Sequence, residues 1–248
     1  MQSSPHDGVI PDPYCLGSHG FLGFRQQLVT DPPPPWQQRK PLALWRGSST
    51  DAKNLELSSL PQSRRYQLCQ MSRQWPNHLD ASFTQIVQCK SEQDAHEIRD
   101  HLRCQALLAK RIDPLEMAHY RWLLDLDGNV NSWGLLWKLL SGSCVIRVNS
   151  QRGQWFHHRL KSWQHLVPVA HDLSDLREQL DWCQEHPRPC AEIAAEGQQL
   201  ALDVLEDLGC DMITAITGLV RQWEHTNAVG GERQGVEFIN KKSFVVDL

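Results

Sequence analysis

The densest chemistry in the chain stands between two apolar runs, at 125-DLDGNVNS-132. Two carboxylates, two amides, a hydroxyl and a glycine share eight residues. Such a composition suits a turn that feeds a helix. Asn131 or Ser132 can cap the helix start, and Gly128 lets the backbone approach a ligand. Placed at the carboxyl end of a strand in an open parallel sheet, a turn of this kind receives a phosphate or nucleotide. The same residues also serve as a plain cap and turn, and sequence physics alone leaves both readings open.

Sharper motifs are absent. Asp125, Asp127, Asn129 and Asn131 have the 1, 3, 5, 7 spacing of a calcium loop. That loop needs Gly at its sixth position and Glu at its twelfth, where this chain has Val130 and Leu136. Neither a G-x-G-x-x-G fingerprint nor a P-loop occurs. Among the 12 His, His96 and His101 are five apart and His157 and His158 adjacent. Neither pair has the i, i+4 spacing that a helix offers a metal, so no metal site is expected. The 8 Cys include no C-x-x-C pair, which fits free thiols in a reducing compartment.

The elements that must position this turn follow from pattern. The chain has 248 residues, 40% of them hydrophobic and 22% charged, enough for a sizeable core. A net charge of -4 gives no footprint for nucleic acid. No run approaches the roughly 20 apolar residues of a membrane span, and the N-terminus lacks the pattern of a signal peptide. Pro32 to Pro35 form a stiff connector ending at Trp36. Beyond it, strands are predicted at 42–45, 83–89, 122–126, 144–148 and 165–169. Helices are predicted at 61–73, 92–109, 131–141, 188–207 and 211–225, with another capped by Ser174. Alternating strands and helices predict an α/β fold, a Rossmann-like parallel sheet with helices on both faces.

Three ordered blocks resemble glycosyltransferase family 90, which includes animal protein O-glucosyltransferases, fungal capsule transferases and bacterial lipopolysaccharide-modifying transferases. The first is Trp36 with 45-WRGS-48. The second is 122-WLLDLDGNVNSWGLLWKLLSGSCVIRV-148, and the third is 160-LKSWQHLVPVAHDLSDLREQLDWCQEHPRPCAEIAAEGQQL-200. A weaker piece, 10-IPDPY-14 with Phe24-Arg25, resembles the entry to the acceptor side. A bacterial type, short at the N-terminus, is the expected subgroup.

The resemblance implies a GT-B-like fold with an incomplete first domain. Residues 1–36 would be its remnant with the connector, 37–210 the donor-binding domain, and 211–248 a C-terminal helix and tail. It implies inverting, metal-independent transfer from a UDP-sugar to a glycan or lipopolysaccharide, with no cofactor. The implied location is the cytoplasm, with peripheral contact to the inner membrane. Donor-binding residues carried over are Ser48 and the turn from Asn129 through Asn131, Ser132 and Trp133 to Gly134; Asp127 and Gly128 belong to the same turn. Arg46 and the helix start near Ser132 could stabilise a leaving diphosphate. Trp133 could stack on the uracil or sugar, or belong to the core. Tyr14, Phe21 and Arg25 are acceptor-side candidates, or packing residues of the partial domain.

Departures from the family pattern matter. Animal members carry Arg where this chain has Gly134 and Asn54, and Arg64 or Arg65 is the available substitute. The family's general base, an Asp before the Pro-Asp-Pro-Tyr region, has no counterpart. Asp7 and Asp12 are the nearest carboxylates, and neither matches it. The alternative is therefore a donor-binding remnant or interaction protein without catalysis, with association covering the incomplete domain. A third reading is an unrelated ligand sensor with 32-PPPPW-36 as a partner motif. His165 is expected to be structural, and Gly197 to cap a helix or allow close packing.

Overall fold

The computed structural model describes residues 9–229. Five parallel strands form one sheet: β1 (Lys40–Ser48), β2 (Leu79–Gln85), β3 (Tyr120–Asp125), β4 (Cys144–Val148) and β5 (Val167–Val169). Their order is β2-β1-β3-β4-β5. The helices are α1 (Pro13–Gly17), α2 (Leu22–Thr30), α3 (Arg64–Gln74), α4 (Glu92–Cys104), α5 (Pro114–Met117), α6 (Leu135–Leu140), α7 (Leu176–Glu185), α8 (Pro187–Glu206) and α9 (Leu208–Val229).

Period-two alternation divides the strands between two cores. Ala43, Trp45, Ala81, Phe83, Trp122, Leu124 and Ile146 join one cluster, which α3, α4 and α7 cover through Leu68, Ile98 and Leu180. On the other face Val145 meets Leu135 and Leu139 of α6, while Leu44 and Leu123 meet Met117 of α5. Helix α8 serves both: Cys190, Ile193 and Ala194 belong to the first cluster, Ala201, Val204 and Leu205 to the second. The central segments 42–45, 122–124 and 144–146, covered on both faces, read as continuous apolar runs, whereas β2 at the sheet edge alternates.

Several predicted boundaries move, each for a local reason. β2 begins at Leu79, not residue 83, because Leu79, Ala81 and Phe83 alternate inward. α4 stops at Cys104, where Ala106 turns left-handed at φ 54° and the Leu107 N–H closes on the Leu102 carbonyl at 2.8 Å. α7 is preceded by Asp175 rather than capped by Ser174, and the Asp175 carboxylate accepts the Ala170 N–H at 2.7 Å. Gly197 lies inside α8 rather than at a helix end. A Cβ there would stand 2.6 Å from the His165 carbonyl oxygen, so its role is close packing. α1 and α2 escaped the pattern reading. Asp12 caps α1 by accepting the Cys15 N–H at 2.8 Å, with Pro13 in the first turn. Cys15, Phe21, Phe24 and Leu28 from this region pack into the α6–α8 cluster. Asp7 and residues 230–248 lie outside the described residues.

Candidate functional site

In the strand order 2-1-3-4-5, chain connections leave β1 and β3 in opposite directions, opening a crevice at their carboxyl ends. The turn after β1 and the turn after β3 meet there. Arg65, buried at the start of α3, joins them: it donates to the Ser48 carbonyl at 2.6 Å and to the Leu126 carbonyl at 3.0 Å. Asp51 accepts the Arg65 N–H at 3.1 Å and the Ser63 hydroxyl at 2.9 Å, fixing the start of α3. Two carbonyls on its guanidinium and the Asp51 carboxylate on its backbone N–H thus hold an arginine that the sequence left as one of two alternatives.

The first turn is set by its own motif. The Trp45 ring lies under Gly47, where a Cβ would come within 2.5 Å of the indole. Arg65 stacks over the same ring at 5.5 Å. Arg46 points elsewhere, into a bidentate pair with Asp80 at 2.9 and 2.7 Å that ties β1 to β2. The structure therefore engages Arg46 in strand pairing; its charge is matched by a carboxylate and is not presented at the crevice. Ser48 stands at the crevice with its carbonyl on Arg65.

The second turn rests on buried charge. Asp125 is fully buried and pairs with Lys138 at 2.8 Å and with Arg147. Asp127, 1% exposed, lies 3.6 Å from Arg147. Desolvation pushes the Asp125 carboxyl up, and the two cations with the Lys138 and Ser132 bonds outweigh it, leaving it at about 2. Ser132 is clamped from three sides. Its hydroxyl donates to Asp125 at 2.6 Å, its N–H to Asp127 at 2.7 Å, and its carbonyl accepts the Gln154 amide at 2.6 Å.

These clamps correct two sequence expectations. Neither Asn131 nor Ser132 caps the helix: α6 begins only at Leu135, behind Gly134, with no side-chain cap. The hydroxyl of Ser132 is already spent on Asp125. Nor does Gly128 leave room for a ligand at its Cα. A Cβ there would lie 2.7 Å from the Thr50 hydroxyl and 3.1 Å from Arg65, so this glycine admits the neighbouring turn. Trp133 is 46% exposed and is not core. Asn129 donates to Gln88 of the loop after β2, and Asn131 reaches the Gly153 carbonyl at 3.5 Å.

Beside this turn, the loop after β4 brings residues that the sequence reading did not assign. Arg152 donates to the Gly128 carbonyl at 2.7 Å. With Arg147, Asn149, Gly153 and His157 it borders a groove of about 330 Å³. Arg64 lies 3.2 Å from His171, which contacts the Asn149 carbonyl at 2.9 Å. Separated by up to about 100 positions, these residues carried no spacing signal. The acceptor-side candidates are not brought to this site. Arg25 lines a groove with Leu22, Leu140 and Gln198, at the end of α6 away from Ser132. Tyr14 packs edge-on against Phe21 at 5.5 Å. His165 is buried, with Nδ1 accepting the Lys161 N–H at 3.1 Å, as expected of a structural histidine.

Comparison with known proteins supplies the context. The model of the family described as Glycosyl transferase family 90 matches residues 25–216. An uncharacterised protein of Frog virus 3 is 32% identical over 222 residues, covering 80% of this chain and 22% of that protein. Protein O-glucosyltransferase 1 of Bos taurus is 30% identical over 200 residues, covering 79% of this chain and 46% of that protein. The chain thus spans less than half the length of these curated relatives. They are viral and animal, and give no support to the expected bacterial subgroup. Among solved structures, Anabaena HepE in complex with UDP-glucose aligns with a TM-score of 0.50 at 13% identity, over 88% of this chain and 56% of that one. That likeness is one of fold, a Rossmann-like sheet of the GT-B kind.

Proposed function

The chain belongs to glycosyltransferase family 90, and from that premise we propose that its carboxyl-edge crevice binds a UDP-sugar for transfer to an acceptor hydroxyl. The observation that carries this reading is the convergence of the Ser48 turn and the Asp127–Gly134 turn at the β1/β3 crevice, bridged by Arg65. The charges of Asp125, Asp127, Lys138 and Arg147 largely balance one another. Arg64 and Arg152, by contrast, contact a histidine ring and a carbonyl, and neither is in an ion pair with a carboxylate among the described residues. With Arg65, whose guanidinium likewise contacts only carbonyls, they are groups able to neutralise a diphosphate, and stabilising that leaving group is the electrostatic part of the reaction. Guanidinium groups in this role make the transfer metal-independent, and direct attack by the acceptor makes it inverting. A glycan or lipopolysaccharide hydroxyl would serve as acceptor; the animal relatives' name points equally to a hydroxyl on a protein.

A second reading is donor binding without turnover. Transfer needs a base to take the acceptor proton. Asp125 and Asp127 are tied to cations, and Asp12 caps α1 far along the chain. Turnover then requires a base from outside the donor unit.

The test is a titration of the chain with UDP, with uridine, CDP and GDP as controls, read by Trp fluorescence. Saturable UDP binding is expected, weakened roughly ten-fold or more in an Arg64→Ala, Arg152→Ala double variant, with uridine binding unchanged. A folded chain that binds no UDP overturns both readings. UDP-sugar hydrolysis separates them: slow turnover supports transfer, and binding alone supports the second.

A further inference from the structure

Away from the crevice, three cysteines meet inside the core. Cys144 opens β4, Cys183 lies near the end of α7, and Cys190 stands in the first turn of α8. All three carry free thiols, and none is exposed. The Cys190 sulfur is the shared member, in hydrogen-bond contact with both the Cys144 and the Cys183 thiol. It also lies 3.7 Å from the Cys183 carbonyl oxygen, which sets its side chain against the end of α7. The Trp122 indole N–H, buried without a conventional hydrogen-bond partner, bears on the same sulfur. Donors therefore surround one atom. The bonds from Cys144 and Cys183 pull the Cys190 thiol well below its ordinary range, against its burial. The same bonds, with burial, push the other two up.

A lone buried thiol packs as a small apolar group. Three in mutual contact suit either a metal or disulfide chemistry, and no group among the described residues is arranged to hold a metal ion. We propose that Cys183 and Cys190 are a disulfide site, closed across the His186 corner when the chain folds in the presence of a small disulfide oxidant. Cys183 rather than Cys144 is the partner, because seven positions separate it from Cys190 and the Cys190 sulfur already leans on its backbone. A short loop closes more readily than the long one to β4. Both sulfurs are sealed in the folded chain, so the reaction belongs to the folding chain, while the corner is open. The Cys183 thiolate attacks oxidised glutathione, forms a mixed disulfide and releases one glutathione. As the corner closes, the Cys190 thiolate, favoured by its donors and the start of α8, attacks the Cys183 sulfur and displaces the second glutathione. Two protein thiols become one disulfide, and their protons and two electrons leave with two molecules of reduced glutathione. The bond would fasten α7 to α8 and leave Cys144 as a thiol.

The experiment refolds the full chain from denaturant in a mixture of oxidised and reduced glutathione, and in parallel under a reducing agent. Cys104 and Cys210, the exposed thiols, are replaced by Ser so that they cannot link molecules. Remaining thiols are blocked, and the chain is cut after Glu178, Glu185 and Glu192, which parts Cys183 from Cys190. Mass spectrometry should find the two short peptides joined in the oxidised sample and separate in the reduced one. The oxidised chain should melt roughly 5 °C higher. Cys183→Ala should abolish both the link and the shift, and Cys144→Ala should keep both, each variant being checked for folding by circular dichroism. A folded, oxidised chain whose thiols are all still free overturns the proposal. So does a link from Cys190 to Cys144 in the chain that retains Cys183. UDP binding has no part in these readouts, so their outcome stands apart from the donor reading.

Discussion

The two ends of the sheet are built on opposite terms. At the amino end the side chains bond neutral backbone carbonyls. Arg39 donates to the Pro34 and Ser141 carbonyls, Ser143 to the Tyr120 carbonyl, and Gln198 to the Leu140 carbonyl. At the carboxyl end, the carboxylates of Asp125 and Asp127 are buried, held by cations from α6 and β4, beside acceptors that have no partner. A fold gains nothing in stability from a buried ion cluster over well-packed apolar residues. Such a cluster stands, among the described residues, at the end where the donor site is proposed.

Removing a member of each network should expose the difference. Asp125→Ala leaves Lys138 and Arg147 buried without their shared partner and should cost about 3–5 kcal/mol. Ser143→Ala at the amino end should cost about 1 kcal/mol. Chemical denaturation measures both, and equal costs would erase the distinction drawn between the two ends.

Acid should act on the carboxyl end selectively. His157 is held at about 4 against an ordinary 6.5, chiefly by burial. The unfolded chain therefore binds the proton first. Stability is full above pH 6.5 and declines by about 3 kcal/mol as pH falls toward 4. Asp125, lowered to about 2 by Lys138 and Arg147 against the cost of its burial, contributes above its ordinary 3.8 and loses that contribution as pH falls toward 2. A His157→Phe variant should show a flatter profile between pH 6.5 and 4, read from melting temperature. A profile unchanged by the substitution would place the acid response elsewhere.

A smaller contrast concerns glycine. Gly142 closes the turn into β4 at φ 67°, a backbone that alanine adopts only with strain. Gly128 has no such backbone demand; its constraint is the approach of Thr50. Both alanine variants should lose about 1–2 kcal/mol. Only Gly128→Ala, by parting the two turns, should also weaken UDP binding. Equal effects on UDP would show that the crevice responds to general destabilisation.

Much of this was legible in sequence because it is local. The strands at 42–45, 122–126 and 144–148 announced themselves as apolar runs, and strand–helix alternation called for a parallel sheet. Asp-Gly-Asn-Val-Asn-Ser was singled out by composition, and it does stand at the crevice. The assignments within it failed where a distant partner intervened. Ser132 reads as a cap until Asp125, Asp127 and Gln154 compete for its groups. Gly128 reads as a seat for a ligand until Thr50 arrives.

The sequence by itself determined the fold class and singled out the polar turn after β3, because alternation, turn chemistry and ordered motifs are written within a few tens of residues. Tertiary structure decided which charges are spent and which remain. Arg46 is matched by Asp80, 34 positions away, and Arg65 is drawn to carbonyls of β1 and the turn after β3. Arg152 and His157 reach the site only because β4 lies beside β3. A side chain's charge belongs to its residue type; whether that charge is available depends on what the folded chain places against it.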